Sequence, residues 1–276
     1  MSAQGAALPW RHLVLGIAVV VVWGTNFVVI KEALAHLPAL TLAALRFAAA
    51  VCPAILFLPK PKVSWRNLAA YGLLIGVGQF ALLFLAMRSQ ITPGLASLVI
   101  QMQVFFTIGI AMRLHRERLQ PYQWLALSLA VAGLLVVAVH TDGGTTVLGL
   151  GMILVAALAW ALANIVGRRA VGVSMLAYMV WSSVFAVPPL MLLTLWFDGW
   201  PAIEAGLRAA TLGTWAAVLW QALGNTMFGY GAWGWLLARH PAATVVPLAL
   251  LVPVFGMSSA ALLLGEPMPA WKFIAA

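Results

Sequence analysis

Charge is what this sequence has least of. Of its 276 residues, 8% are charged and only six are acidic. A soluble domain carries about 25% charged residues. With 64% of residues hydrophobic, no soluble core could bury such a chain, so a bilayer must solvate it. There is one cysteine, Cys52, which excludes an intramolecular disulfide. Set in an apolar run, it reads as a small buried hydrophobe. Soluble domains, linkers and low-complexity segments are also missing, which argues against a sensor or scaffold. The formal charge of +9 would attract nucleic acid if it were clustered. Here the basic residues stand singly in short loops, so no nucleic-acid partner is expected.

Catalytic equipment is missing as well. There is no His-Glu-x-x-His, no Gly-x-Ser-x-Gly and no carboxylate pair. His140 and Asp142 lie close together, but at a loop edge beside Gly143 and Gly144. Without a nucleophile, a base and an orienting group in one pocket, a membrane enzyme lacks its parts. No Gly-x-x-x-x-Gly-Lys-Ser/Thr loop is present to bind ATP. Residues 229–234, Gly-Tyr-Gly-Ala-Trp-Gly, have dinucleotide-fingerprint spacing. They lie inside an apolar span with no preceding strand, so no cofactor is expected.

What is present is a series of apolar runs. A membrane span needs about 20 such residues. The sequence predicts spans at 13–30, 39–58, 68–87, 94–112, 122–139, 148–166, 175–197, 212–237 and 242–264. A tenth begins near Pro269 and is cut off at Ala276, so the native chain is expected to continue. The first run exceeds the roughly 7–15 residues of a signal-peptide core, so it is read as a retained span. With the N-terminus inside, ten basic residues fall on the cytoplasmic side: Arg11, Lys60, Lys62, Arg66, Arg113, Arg116, Arg118, Arg168, Arg169 and Arg239. Four fall outside: Lys31, Arg88, Arg208 and Lys272. That bias predicts a cytoplasmic N-terminus.

The halves echo each other. Trp23-Gly24-Thr25-Asn26 parallels Trp160 to Asn164, and Gly78 to Arg88 parallels Gly229 to Arg239. Val104-Phe105 parallels Val254-Phe255, and Glu117 parallels Glu266. Residues 1–140 and 145–276 are thus expected to form two five-helix repeats. An odd repeat crosses the membrane in opposite senses, so the repeats are inverted. Such symmetry suits a device that opens alternately to two sides, with its site near the midplane.

Trp23-Gly24-Thr25-Asn26-Phe27, Leu45-Arg46-Phe47, residues 96–101, Gly229-Tyr230-Gly231 and residues 247–266 resemble the EamA family of the drug/metabolite transporter superfamily. The resemblance covers essentially the whole chain. It implies ten helices in two five-helix repeats and a multi-pass protein of the bacterial inner membrane. It also implies export of amino acids or related metabolites, the nearest likeness being to exporters of cysteine and O-acetylserine. The expected partners are a small-molecule substrate and lipid, with the protein a monomer. Other metabolites or drugs are the alternative cargo. Gln103 stands where the second repeat has Pro253, a position often proline in this family, so helix geometry there is expected to differ.

Polar groups inside spans usually face a bundle interior or cavity. Gln79, Gln101, Trp160, Asn164 and Tyr230 are expected to line a central cavity built from spans 1, 3, 4, 6, 8 and 9. Asn26, Arg46, Gln221, Asn225 and Trp181 are further candidates for contacting substrate. Each Asn or Gln has a blander reading as a bond to a neighbouring helix. Gln221 and Asn225 share a face, as do Trp160 with Asn164 and Ser97 with Gln101. Gln101 and Gln103 are about 200° apart on a helix, so Gln101 is favoured over Gln103. Gly78 and Gly229 could admit a ligand or another helix closely. Arg46 could hold a carboxylate, or it could snorkel or pair with Glu32 or Glu266. Most tryptophans near span ends read as interfacial anchors, whereas Trp160, Trp181 and Trp220 lie deeper. Gly72 and Gly76 form a small-xxx-small pair, which signals close helix packing.

All six acidic residues (Glu32, Glu117, Asp142, Asp198, Glu204, Glu266) fall in loops or at span ends. So do the five histidines. A proton-driven carrier generally needs an intramembrane relay. Facilitated transport is therefore expected.

Overall fold

A computed structural model describes residues 8–115, 121–140, 144–168, 170, 172–237, 239–240 and 245–275. Arg116, Glu117, Arg118, Asp142, Arg169 and Ala242, which enter the sequence reading, lie outside the described residues. Among the described residues, besides a short 3-10 turn at Ala54–Leu56, the helices are α1 (Trp10–Ala33), α2 (Ala39–Val51), α3 (Trp65–Ser89), α4 (Pro93–Val99), α5 (Met102–His115) and α6 (Pro121–Val139). Then come α7 (Val147–Gly167), α8 (Met175–Phe197), α9 (Gly199–Ala209), α10 (212–237), α11 (246–264) and α12 (Ala270–Ala275). The chain is an all-α membrane protein. Among the described residues, five helical stretches are long and apolar enough to cross a bilayer: Trp10–Ala33, Ala39–Leu56, Trp65–Ser89, Val147–Gly167 and Met175–Ala209.

Large apolar side chains such as Leu135, Leu192, Trp196, Leu212 and Leu262 lie exposed on the outside, where lipid replaces water as solvent. The core is rich in alanine and glycine. Helix association in lipid depends on close packing rather than on expelling water. Helices of one half pack on helices of the other: α1 on α11, α2 on α8, α3 on α7 and α8, α5 on α7, and α6 on α12. Gly72 and Gly76 mark one close approach, between α3 and α8. A Cβ on Gly72 would strike the Ser182 carbonyl of α8, and one on Gly76 would strike Ala186.

Several boundaries differ from the sequence reading. The predicted span at 39–58 is interrupted at Cys52, because Pro53 cannot continue the hydrogen-bond ladder. Cys52 is exposed at that end rather than buried. The stretch around Trp200-Pro201, read as a loop, is helix α9. Its Pro201 sits in the first turn, where no intrahelical donor is lost.

Departures from regular α-helix inside the spans shape the interior between the halves. Residues Leu74–Ala81 of α3 and Trp220–Tyr230 of α10 are π-helical. These are corresponding segments in the two halves. Between α4 and α5 the helix breaks at Ile100 and Gln101. In α11, Val246–Leu251 form a tighter 3-10 turn before Val252–Leu264. Helix α4–α5 thus breaks without the proline that α11 carries at Pro253.

Candidate substrate cavity

A cavity of about 480 Å³ runs between the two halves, within the range of small-molecule sites. Trp23, Asn26, Phe27 and Ile30 face it from α1, at the i, i+3, i+4, i+7 spacing of one helix stripe. Trp160, Asn164, Gly167 and Arg168 face it from α7 and its C-terminal end in the same way. Helix α3 adds Tyr71, Gln79 and Phe80, and α10 adds Asn225, Tyr230 and Trp233. Asn225 and Tyr230 are five residues apart, which is one turn of a π-helix but not of an α-helix. The π segment is therefore what puts both on the cavity wall.

The break at Ile100 corrects the choice between the two glutamines. Gln101 and Gln103 both line the cavity. The backbone between them makes tight three-residue bonds, Gln101 N–H to Leu98 O, Gln103 N–H to Ile100 O and Val104 N–H to Gln101 O. A regular 100° per residue no longer applies there. Asn164 donates from Nδ2 to Gln103 Oε1 at 2.9 Å and to Thr107 Oγ1 at 3.3 Å.

Aromatic rings form one wall. Trp23 lies 5.3 Å from Tyr230 and 5.2 Å from Trp233, centroid to centroid. Its Nε1–H donates to the Asn225 carbonyl at 3.2 Å. Gly229 admits this Trp23 ring and Gly78 admits Ala159, so both glycines serve helix contacts. Asn26 Oδ1, Gln79 Oε1 and Gln101 Oε1 are buried with no hydrogen-bond partner among the described residues. No acidic residue or histidine among the described residues lines the cavity.

Seven of the ten candidates from sequence thus come together: Asn26, Gln79, Gln101, Trp160, Asn164, Asn225 and Tyr230. Three do not. Trp181 donates to the Leu58 carbonyl at 2.9 Å and packs against Trp65, away from the cavity. Gln221, four residues before Asn225 in the π segment, is fully buried and does not line the cavity. Arg46 lies one layer behind the wall, and the sequence reading of snorkelling or acid pairing is corrected. It is fully buried, with its guanidinium 3.6 Å from the centre of the Phe80 ring. Its Nη2 donates to Asn225 Oδ1 at 2.9 Å and to Thr226 Oγ1 at 3.1 Å. Glu266 is occupied elsewhere, by Lys272. Sequence reasoning missed Trp23, Phe80, Trp233 and, by the wrong phase, Gln103. Trp23 belongs to the repeated Trp-to-Asn motif, and that was the available signal.

The lining reaches exposed Arg168 at one end of the bundle. The other end is tied. Lys31 Nζ donates to the carbonyls of Met87 and Arg88. Glu266 accepts from Gly94 N–H at 3.0 Å and from Thr92 Oγ1.

The profile of the EamA-like transporter family matches this sequence twice, over residues 10–139 and 147–276. The "Probable amino-acid metabolite efflux pump" of Salmonella typhimurium (strain LT2) is 41% identical over 268 residues, covering 95% of this chain and 90% of that protein. The protein of the same description from Escherichia coli (strain K12) is 40% identical over 269 residues, with the same coverage. A crystal structure at 19% identity superposes with a TM-score of 0.66 over 96% of this chain and 91% of the other, which shows a shared fold. The chain, a multi-pass membrane protein with two matching halves, belongs to the EamA-like transporter family.

Proposed function

We propose that this protein exports amino acids or related small metabolites across the bacterial inner membrane by alternating access. The observation that carries this reading is the cavity between the halves, walled by indoles and by side-chain amides and free of acidic residues and histidines among the described residues. Indole walls take apolar side chains, and amides both donate and accept. The names of the two bacterial relatives support the same cargo. In this reading residues 1–140 and 145–276 are inverted five-helix repeats, the N-terminus is cytoplasmic and the unit is a monomer. The mouth at Arg168 then opens to the cytoplasm, and the tied end at Glu266 and Lys31 faces outward. Gln79, Gln101, Trp160, Asn164, Asn26, Asn225 and Tyr230 contact the solute.

Counterflow of radiolabelled amino acids and their simple derivatives in proteoliposomes tests the reading. Exchange of at least one free amino acid is expected, and exchange of none would retire it. With the best-exchanged amino acid, Gln101→Ala and Tyr230→Ala should each raise the half-saturating concentration about tenfold, the worth of one or two hydrogen bonds. Both variants should remain folded, with Tyr230→Ala melting lower because it removes a buried ring packed on Trp23. Unaltered transport in both variants would remove these faces from the site.

The carrier is also expected to be facilitative, because no protonatable acid or histidine among the described residues faces the solute path. An imposed pH gradient at clamped membrane potential should give no accumulation above equilibrium. Accumulation that a protonophore abolishes would contradict this.

A further inference from the structure

Arg46 is a buried cation without an anion. Its Nε and Nη1 have no hydrogen-bond partner, and it makes no ion pair among the described residues. Removing a guanidinium from water without a countercharge is costly, so something must compensate for it. Phe80 does so in part, through its ring face. Phe80 and Asn225, which both contact Arg46, also line the cavity.

The bond to Asn225 settles which way that amide points. A guanidinium only donates, so the Asn225 oxygen must face Arg46, at 2.9 Å. Its Nδ2 then faces away, and Asn225 lines the cavity. The amide thus presents N–H donors to the cavity, polarised by the cation behind it. Arg168 at the mouth is the only charged side chain in the lining among the described residues, and it too is positive. Asn26, Gln79 and Gln101 also line the cavity, but their side-chain oxygens are themselves buried and bring no charge to the wall.

We propose that Asn225, oriented and polarised by Arg46, forms a carboxylate-directed subsite that makes the cavity favour anionic and zwitterionic solutes over cationic ones. Arg46 acts as a positioning residue and as the fixed positive charge, without touching the solute. This rests on the cavity being the substrate site, as proposed above, and it narrows the cargo to solutes with a free carboxylate.

The test uses the purified full chain in detergent and reads melting temperature against ligand concentration. The probes are L-serine and L-phenylalanine, their N-acetyl derivatives, which keep only the negative charge, and their methyl esters, which keep only the positive one. In at least one series the N-acetyl derivative should stabilise at concentrations about tenfold or more below the methyl ester, the scale of one charge acting through a protein interior. In Arg46→Met that ratio should shrink to about threefold or less, and Arg46→Lys should retain part of it. Methyl esters as effective as N-acetyl derivatives, or no stabilisation by any carboxylate, would overturn the proposal. So would an unchanged ratio in a folded Arg46→Met protein. Should that variant fail to fold, the wild-type order alone decides. Because the order is read without transport, a counterflow screen with no exchanged amino acid would remove the export reading while leaving this result standing.

Discussion

Gly72→Leu is expected to leave no folded, monodisperse protein. Gly72 lies where α3 crosses α8, and even a Cβ there would collide with the Ser182 carbonyl oxygen. That oxygen is helix backbone, so it cannot swing aside as a side chain would. One turn on, a Cβ on Gly76 meets Ala186, so the helices cannot slide to relieve the first clash without creating a second. Overpacking a core commonly costs about 1–3 kcal/mol and more where the backbone must move. Against a total stability of roughly 5–15 kcal/mol, a loss of about 3 kcal/mol or more is severe. Gly151 is the control, since it faces open space on the outside of α7. Gly151→Ala should be neutral or gain up to about 1 kcal/mol from helix propensity. Size-exclusion profiles and melting temperatures of the two variants make the comparison. A Gly72→Leu protein that melts with the wild type would show that this crossing does not hold α3 against α8.

The Gly72–Gly76 contact was visible in the sequence, because small-xxx-small spacing reads directly as a close helix face. So were Asn26 on α1 and the α7 stripe at Trp160 and Asn164, since both helices are regular and 3.6 residues per turn holds along them. The errors sit where that period fails. Gln101 and Gln103 seemed to exclude each other only because the break at Ile100 carries no Pro or Gly to announce it. The π segments of α3 and α10 are equally silent in sequence, yet they put Tyr230 and Asn225 on one face. Arg46 could be placed in a span, but its partners come from α3 and α10, far along the chain. No local pattern encodes that meeting. Trp181 shows the converse limit. Depth along a helix was readable, but which side of it met the cavity was not.

The second large effect concerns the tied end of the bundle. Lys272 and Glu266 form an ion pair of 2.7 Å with both side chains almost wholly buried. The carboxylate also accepts from Thr92 Oγ1 and from Gly94 N–H in the first turn of α4, where a negative charge is favoured. Lys272 donates a second bond to the Pro267 carbonyl at 2.8 Å. Removing one partner of such a pair leaves an uncompensated buried charge, typically a loss of about 3–5 kcal/mol. Lys272→Met should therefore lower the melting temperature strongly, because Glu266 keeps its charge and loses its cation. Glu266→Gln combined with Lys272→Met should recover most of that loss. The glutamine oxygen still accepts from Gly94, and no charge is left to desolvate. The two single variants, the double variant and the wild type form a thermodynamic cycle. A double variant as unstable as Lys272→Met alone would mean that the side chains matter here for shape and not for charge. The same variants also probe the cycle of opening. If this end separates during transport, the paired charges must part at every turnover. The double variant, with hydrogen bonds but no ion pair to break, should then exchange solute at least as fast as the wild type in proteoliposomes. A stable double variant that exchanges more slowly would show that the pair guides closure of this end rather than merely resisting its opening.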